Sequence, residues 1–283
     1  MPAPAEYLGS KRLEQKLPFF GGLSGLEFTA DGQRFTVLSD SAVLFSGTVS
    51  RDERGMVTSV MLDGPGHPLT GPDGKNLTDP LDDSEGLALA PDGGLYISFE
   101  LRNRVARYFP DGRWLADLPR PRDFLGLGNS GLEGLAAAPD GTLYTMPEGP
   151  SQGTLAFPVY RYRAGTWSEA FTLPEDHRWR LVGADFGMDG RLYILERDYW
   201  PLIGFRSRLR RISLEGDRVI SDRVLFETRP GQFDNLEGLS IWQDGDGQPH
   251  ATMVSDNNFL FTQISQFVDY RIDDRLDPPA PHD

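Results

Sequence analysis

Five segments of this chain read in one register: "SGLEFTADG" from Ser24, "EGLALAPDG" from Glu85, "EGLAAAPDG" from Glu133, "VGADFGMDG" from Val182 and "EGLSIWQDG" from Glu237. Each carries an aspartate seven positions after its first residue and a glycine directly behind that residue: Gly25, Gly86, Gly134, Gly183 and Gly238. Their starts lie 61, 48, 49 and 55 residues apart. Such self-similarity restricts the chain to an array of one repeated unit.

The unit is built of strands. After each Asp-Gly turn a second alternating run ends in an acid: "FTVLSD" at Asp40, "LYISFE" at Glu100, "LYTMPE" at Glu148, "LYILE" at Glu196 and "ATMVSD" at Asp256. Two more strand-like runs usually follow, such as "RVARYF" and "RWLADL", so each repeat predicts four strands. Helical periodicity is nearly absent, and 32 glycines and 22 prolines punctuate the chain. The expectation is an all-β fold, a β-propeller of five four-stranded blades; a sixth blade would need a repeat that is not visible. "EYLGSKRLEQ" near the N-terminus can supply the last strand and close the ring, which leaves no edge exposed. Residues 1–283 then form one domain, with residues 277–283 expected to be a disordered tail.

A formal charge of -14, from 42 acidic against 28 basic side chains, is the wrong sign for binding nucleic acid through its phosphates. Cations suit it better. No run approaches the length of a membrane-spanning helix, so no membrane partner is expected. With no cysteine there are no disulfides, thiolate metal sites or cysteine nucleophile. His67, His177, His250 and His282 show no metal-ligand spacing and read as surface residues. No protein partner is evident, and a monomer is expected.

In a propeller the first strand of each blade lies nearest the axis, where the repeated glycine allows close approach and the residue before it faces the channel mouth. Those residues are Ser24, Glu85, Glu133, Val182 and Glu237. The second strand returns antiparallel, so its terminal acid arrives at the same end. Two acidic rings result. Carboxylates about 6 Å apart would cost roughly 3 kcal/mol per pair at an effective dielectric of about 20. Protonation, or a divalent cation held by hard oxygens, would relieve them, and Ca²⁺ fits such ligands better than Zn²⁺. The alternative is that the glutamates bond to backbone amides and hold the blades together. For Asp40, Glu100, Glu196 and Asp256, a direct catalytic role stands beside local pairing with Arg102, Arg104 or Arg197.

At these residues the chain resembles the esterase-like phytase domain family of bacterial propellers. "GGLSGLEF", "DSEGLALAPDG", "NSGLEGLAAAPDG", "LER", "DNLEGLSIW" and "VSDNNF" stand in that family's order, across about residues 19 to 270. The polar order at the axis also resembles calcium-activated apyrases. That likeness implies Ca²⁺ held by Ser24, Glu85, Glu133 and Glu237, with Val182 in place of the serine usual at the fourth blade. The resemblance implies hydrolysis of phosphoric esters, with Arg102, Arg104, Arg197, Arg206 and Arg208 as candidates for binding a small anionic substrate. With only three lysines, the chain lacks the dense basic groove a highly phosphorylated substrate would meet. Family members are commonly exported, which implies a periplasmic or secreted protein. "MPAPAEYLGSKR" lacks the apolar middle of a signal peptide, so a cytoplasmic location is the alternative.

Two other functions stay open. One is a lactonase or sugar-acid esterase: "GLYISFELRNRVARYFPDG" also resembles repeats of gluconolactonase-like propellers, whose axial metal is held by Glu, Asn and Asp, and for which Asn129, Asn235 and Asp256 would matter most. The last is a binding propeller with structural calcium. Phe99, Trp200 and Phe259 could line a pocket or simply pack.

Overall fold

The computed structural model describes residues 4–13, 20–127, 131–150, 156–174, 176, 178–257 and 263–273. The repeated turns are built as their composition predicts. In every repeat the turn aspartate accepts a backbone N–H two residues on: Asp31 from Gln33, Asp92 from Gly94, Asp140 from Thr142, Asp189 from Arg191 and Asp244 from Asp246, at 2.9–3.1 Å. The glycine that follows adopts φ of +67° to +83° in the first four turns; in the fifth, lengthened by "DGDG", Gly247 takes that role.

These turns separate the strands of five antiparallel sheets. The chain opens with β1 (Ala5–Arg12) and then lays down the first blade as β2 (Leu23–Phe28), β3 (Arg34–Ser39), β4 (Val43–Arg51) and β5 (Val57–Leu62), with the short β6 (His67–Pro68) also on β4. The second blade is β7 (Ser84–Leu89), β8 (Leu95–Phe99), β9 (Arg104–Tyr108) and β10 (Trp114–Asp117). A one-turn helix, α1 (Arg122–Leu125), leads to the third: β11 (Leu132–Ala137), β12 (Leu143–Pro147), β13 (Ala156–Arg163) and β14 (Thr166–Pro174). The fourth is β15 (Arg180–Phe186), β16 (Leu192–Trp200), β17 (Gly204–Glu215) and β18 (Arg218–Glu227). The fifth is β19 (Asn235–Gln243), β20 (Pro249–Asp256) and β21 (Gln266–Ile272), completed by β1, which pairs antiparallel with β21 from Ala5↔Ile272 to Arg12↔Gln266. Inner strands β2, β7, β11, β15 and β19 each pack on the next, and β19 returns to β2. This is a five-bladed β-propeller closed by its N-terminal strand. Among the described residues no helix is long and apolar enough to cross a membrane.

An apolar core separates each blade from its neighbour. The one between fifth and first blades holds Phe28, Phe35 and Phe267, whose rings stand 5.2–5.7 Å apart. His250, read from sequence as a surface residue, is buried on the edge of that layer. Its ring stacks 4.3 Å from Trp242 and its Nε2 lies 3.1 Å from Asp244 Oδ2. Burial lowers its pKa from the ordinary value. His67 is exposed, while His177, His282 and residues 277–283 lie outside the described residues.

Near the axis the five glycines let backbones crowd. A Cβ on Gly25 would meet Leu87 Cβ at 2.7 Å, one on Gly86 would meet Leu135 Cβ at 2.7 Å, and one on Gly183 would meet the Glu237 carbonyl oxygen at 2.3 Å. Gly183→Ala therefore has no flexible side chain to push aside. It is expected to cost about 3 kcal/mol, lowering the melting temperature by roughly 6–12 °C, whereas Gly245→Ala, in open space, shifts it little. Thermal unfolding of both variants checks this.

Deeper along the inner strands, polar side chains bolt blades together. Glu27 Oε1 accepts the Leu89 N–H at 3.0 Å, Asp185 Oδ2 the Ile241 N–H at 2.6 Å, and Ser240 Oγ the Phe28 N–H at 2.8 Å. Buried carboxyls thus do hold blades together through backbone amides, though among the described residues no backbone N–H donates to Glu85, Glu133 or Glu237.

Candidate functional site

Each inner strand is bulged at one place: between Leu23 and Gly25, Ser84 and Leu87, Leu132 and Gly134, Leu181 and Gly183, and Leu236 and Gly238. A bulge leaves residues without a cross-strand partner and re-aims their side chains. Here the head of each repeat is such a residue, Ser24, Glu85, Glu133, Val182 or Glu237, joined in the second blade by Gly86. The second strand ends beside it. The N–H groups of Asp40, Glu100 and Glu148 donate to the carbonyls of Gly22, Asp83 and Gly131, each two residues before the bulged position, at 2.6–3.0 Å.

The acids do converge. Burial is the chief cause of a raised pKa at Glu85, followed by the charges of Glu133, Glu237, Asp83 and Glu100. Glu133 is also raised, chiefly by burial, and Arg197 opposes the rise. Asp40, Asp83 and Glu100 are raised too, each mainly by burial, with Asp82 acting on Asp40, Asp40 on Asp83 and Asp83 on Glu100. Below the mouth the axial cavity is only about 10 Å³, room for about one water.

Glu196 is not part of that ring. "LYILE" is one residue shorter than "LYISFE", and the strand registers match Leu181 with Glu196 as they match Leu132 with Pro147. The counterpart of Glu148 is therefore Arg197. Because side chains alternate along a strand, one step of register turns Glu196 to the other face. There it is buried between Arg208, whose Nε donates to Oε2, and Arg210, whose Nη1 donates to Oε1 at 2.8 Å.

Arg197 instead reaches into the acids. Its Nη1 donates to Glu237 Oε1 and, at 3.0 Å, to Asn235 Oδ1, while Nη2 lies 3.3 Å from Glu148 Oε1. Asn235 Nδ2 donates to the same Glu237 oxygen at 2.7 Å. Glu237 is raised by burial, with Arg197 and Asn235 opposing. A guanidinium on this scaffold thus neutralises the side of the mouth formed by the third and fifth blades.

The second blade has no such partner. Asp83, Glu85 and Glu100 offer three carboxylate oxygens within 4.8 Å of one another, and among the described residues none of the three pairs with a basic side chain. Two oxygens on opposite sides of one Ca²⁺ stand at about this separation, given ligand distances of about 2.3–2.6 Å. The donor set fits a hard divalent cation. Ser24, by contrast, spends its hydroxyl proton on the Ser84 carbonyl at 2.8 Å. Asp83 escaped the sequence reading although a signal exists: it stands two residues before the repeat head, the place Asn235 holds in the fifth blade.

The remaining candidates separate. Asp256 is buried at the end of β20, in register with Asn235. Arg206 and Arg208 pair with acids away from the rim, Arg206 with Asp198 at 3.0 Å and Arg208 with Asp176 at 2.9 Å as well as with Glu196. Trp200 donates to Asp198 at 2.8 Å, and Phe99 is buried under the Arg104 guanidinium, so both pack. Arg102 and Arg104 line a separate pocket on the outer side of the second blade. Asn129 and Phe259 lie outside the described residues.

Residues 18–259 match the family described as "Phytase-like: Esterase-like activity of phytase". The chain belongs to that family. The phytase-like description fits a hydrolase. No curated protein matches the chain by sequence. Among solved structures, virginiamycin B lyase from Staphylococcus aureus is similar at 12% identity and a TM-score of 0.48, over 95% of this chain and 100% of that one. A PQQ-bound aldose sugar dehydrogenase from Streptomyces coelicolor is similar at 14% identity and 0.48, over 96% and 99%. A putative glucose dehydrogenase from Thermus thermophilus stands at 16% and 0.46, over 92% and 99%. At these levels nothing of their reactions transfers to this member of the phytase-like family.

Proposed function

We propose that this propeller is a Ca²⁺-dependent hydrolase of phosphoric esters working at its acidic mouth. The observation that carries the reading is the division of the rim. Arg197 neutralises Glu237 and Glu148, while Asp83, Glu85 and Glu100 crowd together and, among the described residues, form no ion pair with a basic side chain. These three would hold the ion, with Glu133 beside Glu85 at the inner edge. Bound there, Ca²⁺ supplies charge to polarise a phosphoryl oxygen and to lower the pKa of a water.

The protein's own groups do the rest. Arg197 and Asn235 oppose the effect of burial on Glu237 and fix its carboxylate in place. Asp40, raised by burial, is the carboxyl suited to hand a proton to or from the reacting oxygens. The axial set of Ser24, Glu85, Glu133 and Glu237 thus shifts toward the second blade, because Arg197 occupies Glu237.

The lactonase reading is less well supported. Both ends of the Asn235 amide are engaged, Oδ1 by Arg197 and Nδ2 by Glu237. Assays of phosphomonoesters, phosphodiesters, nucleotides and lactones, with and without chelator, discriminate the classes. Inactivity toward all of them with Ca²⁺ retained would leave a binding module. By calorimetry, Glu85→Gln and Glu100→Gln are each expected to weaken Ca²⁺ binding at least tenfold and to reduce the gain in melting temperature that saturating Ca²⁺ confers. Unchanged affinity in both variants sinks the site.

A further inference from the structure

The first repeat interval, 61 residues, exceeds the others, and the extra chain builds a wall. It is held firmly: Thr70 donates to the Gly112 carbonyl at 3.0 Å, Trp114 N–H donates to Thr70 Oγ1 at 3.0 Å, and Leu77 N–H donates to the Leu69 carbonyl at 2.9 Å. Between this wall and the outer strands of the second blade lies a pocket of about 790 Å³, within the usual range for small-molecule sites. Leu77, Leu81, Tyr108 and Trp114 give it an apolar, partly aromatic lining.

Its charge runs against that of the chain. Lys75, Arg102, Arg104 and Arg120 line it against only Asp73 and Asp117, in a protein of formal charge -14. Both acids are already engaged, Asp73 by Lys75 at 3.4 Å and Asp117 by Trp114 Nε1 at 3.3 Å. Among the described residues none of the three arginines has a carboxylate partner. Arg104 lies 3.7 Å over the Phe99 ring, gives Nη2 to the Leu81 carbonyl and lies beside the Tyr108 hydroxyl and the charge of Asp117, but its buried Nη1 has no partner in good hydrogen-bond geometry. Arg120 Nε reaches only the Asn103 carbonyl, at 3.1 Å. A buried guanidinium N–H left unmade is costly, and an oxyanion is the ligand that satisfies planar donors.

We infer that this pocket binds a small organic anion in which a phosphate or carboxylate is carried by a flat aromatic body, the oxyanion meeting Arg102, Arg104 and Arg120 and the ring lying against Trp114. The inference concerns binding and goes beyond the hydrolase reading, since it stands whether or not the mouth is active.

Calorimetric titration in EDTA, which removes any contribution from a divalent ion, tests it with phenyl phosphate, benzoate, adenosine monophosphate and inorganic phosphate as probes. At least one aromatic anion is expected to bind at least tenfold more tightly than inorganic phosphate. Arg102→Gln with Arg120→Gln, both exposed and safe for folding, should weaken that binding at least tenfold, while Arg113→Gln on the same blade should not. A preference for phenyl phosphate over benzoate, or the reverse, assigns the oxyanion. The inference is overturned if no aromatic anion binds at millimolar concentration, if inorganic phosphate binds as well as all of them, or if the double variant binds like the parent. Loss of Ca²⁺-dependent hydrolysis with these titrations intact would count against the mouth alone.

Discussion

Replacing Arg197 by leucine is expected to lower the melting temperature by on the order of 10 °C at pH 8, and by clearly less at pH 5. The guanidinium touches Glu237, Asn235 and Glu148 and offsets the charge of Glu133. Removing one partner of a buried ion pair typically costs about 3–5 kcal/mol, because the other charge stays behind. For a domain stable by about 5–15 kcal/mol that is a large fraction. At pH 5 the stranded glutamates take up protons instead, which caps the loss. Arg197→Lys should not restore stability fully, since a single ammonium cannot bridge both carboxylates as the planar fork does. Added Ca²⁺ should recover more stability in the leucine variant than in the parent. Scanning calorimetry at the two pH values, with and without Ca²⁺, reads all of this. A shift below about 2 °C at pH 8 would mean that Arg197 does not hold the mouth together.

The second large effect is a fall in stability between pH 5 and pH 8 in the absence of divalent ions. Asp185 is pushed up to about 7 by burial, from an ordinary 3.8. Glu27 is raised as well, by burial first and then by the charge of Asp185. The folded state therefore binds protons more tightly than the unfolded chain. Stability from this source is full below about pH 4 and is lost as pH rises through about 7. For Asp185 alone the loss is about 4 kcal/mol over its whole titration, of which roughly 3 kcal/mol falls between pH 5 and pH 8. Glu85, Glu133 and Glu237 act in the same direction at the mouth. Ca²⁺ should reduce the mouth's share of the fall and leave that of Asp185, because Asp185 bolts inner strands through the Ile241 N–H rather than facing the rim. Melting temperatures from pH 5 to pH 8, in EDTA and in Ca²⁺, measure both parts. Stability that rises over that interval in EDTA would contradict the assignment.

The propeller itself was legible in the sequence, because its determinants are local. An aspartate that captures the N–H two residues on, a glycine behind it and a glycine at the bulge act within a single hairpin, and each is repeated five times in register. The convergence of Glu85, Glu133 and Glu237 followed from that register alone, since identical positions on five inner strands must meet at one end of the axis.

What tertiary structure decided is where individual charges go once the ring closes. Glu196 and Arg197 are neighbours in sequence, and a single step of strand parity sent one into the arginines of β17 and the other into the acids of the mouth. Asp83 joined Glu85 and Glu100 because hydrogen bonds between the segments before β7 and after β8 set them side by side. The pocket beside the second blade exists because an irregular loop from the first repeat folds onto it. None of these contacts is local. Each depends on distances between blades, which are fixed by how five separate cores and the backbone crowding at the axis pack together, and no short stretch of residues encodes that packing.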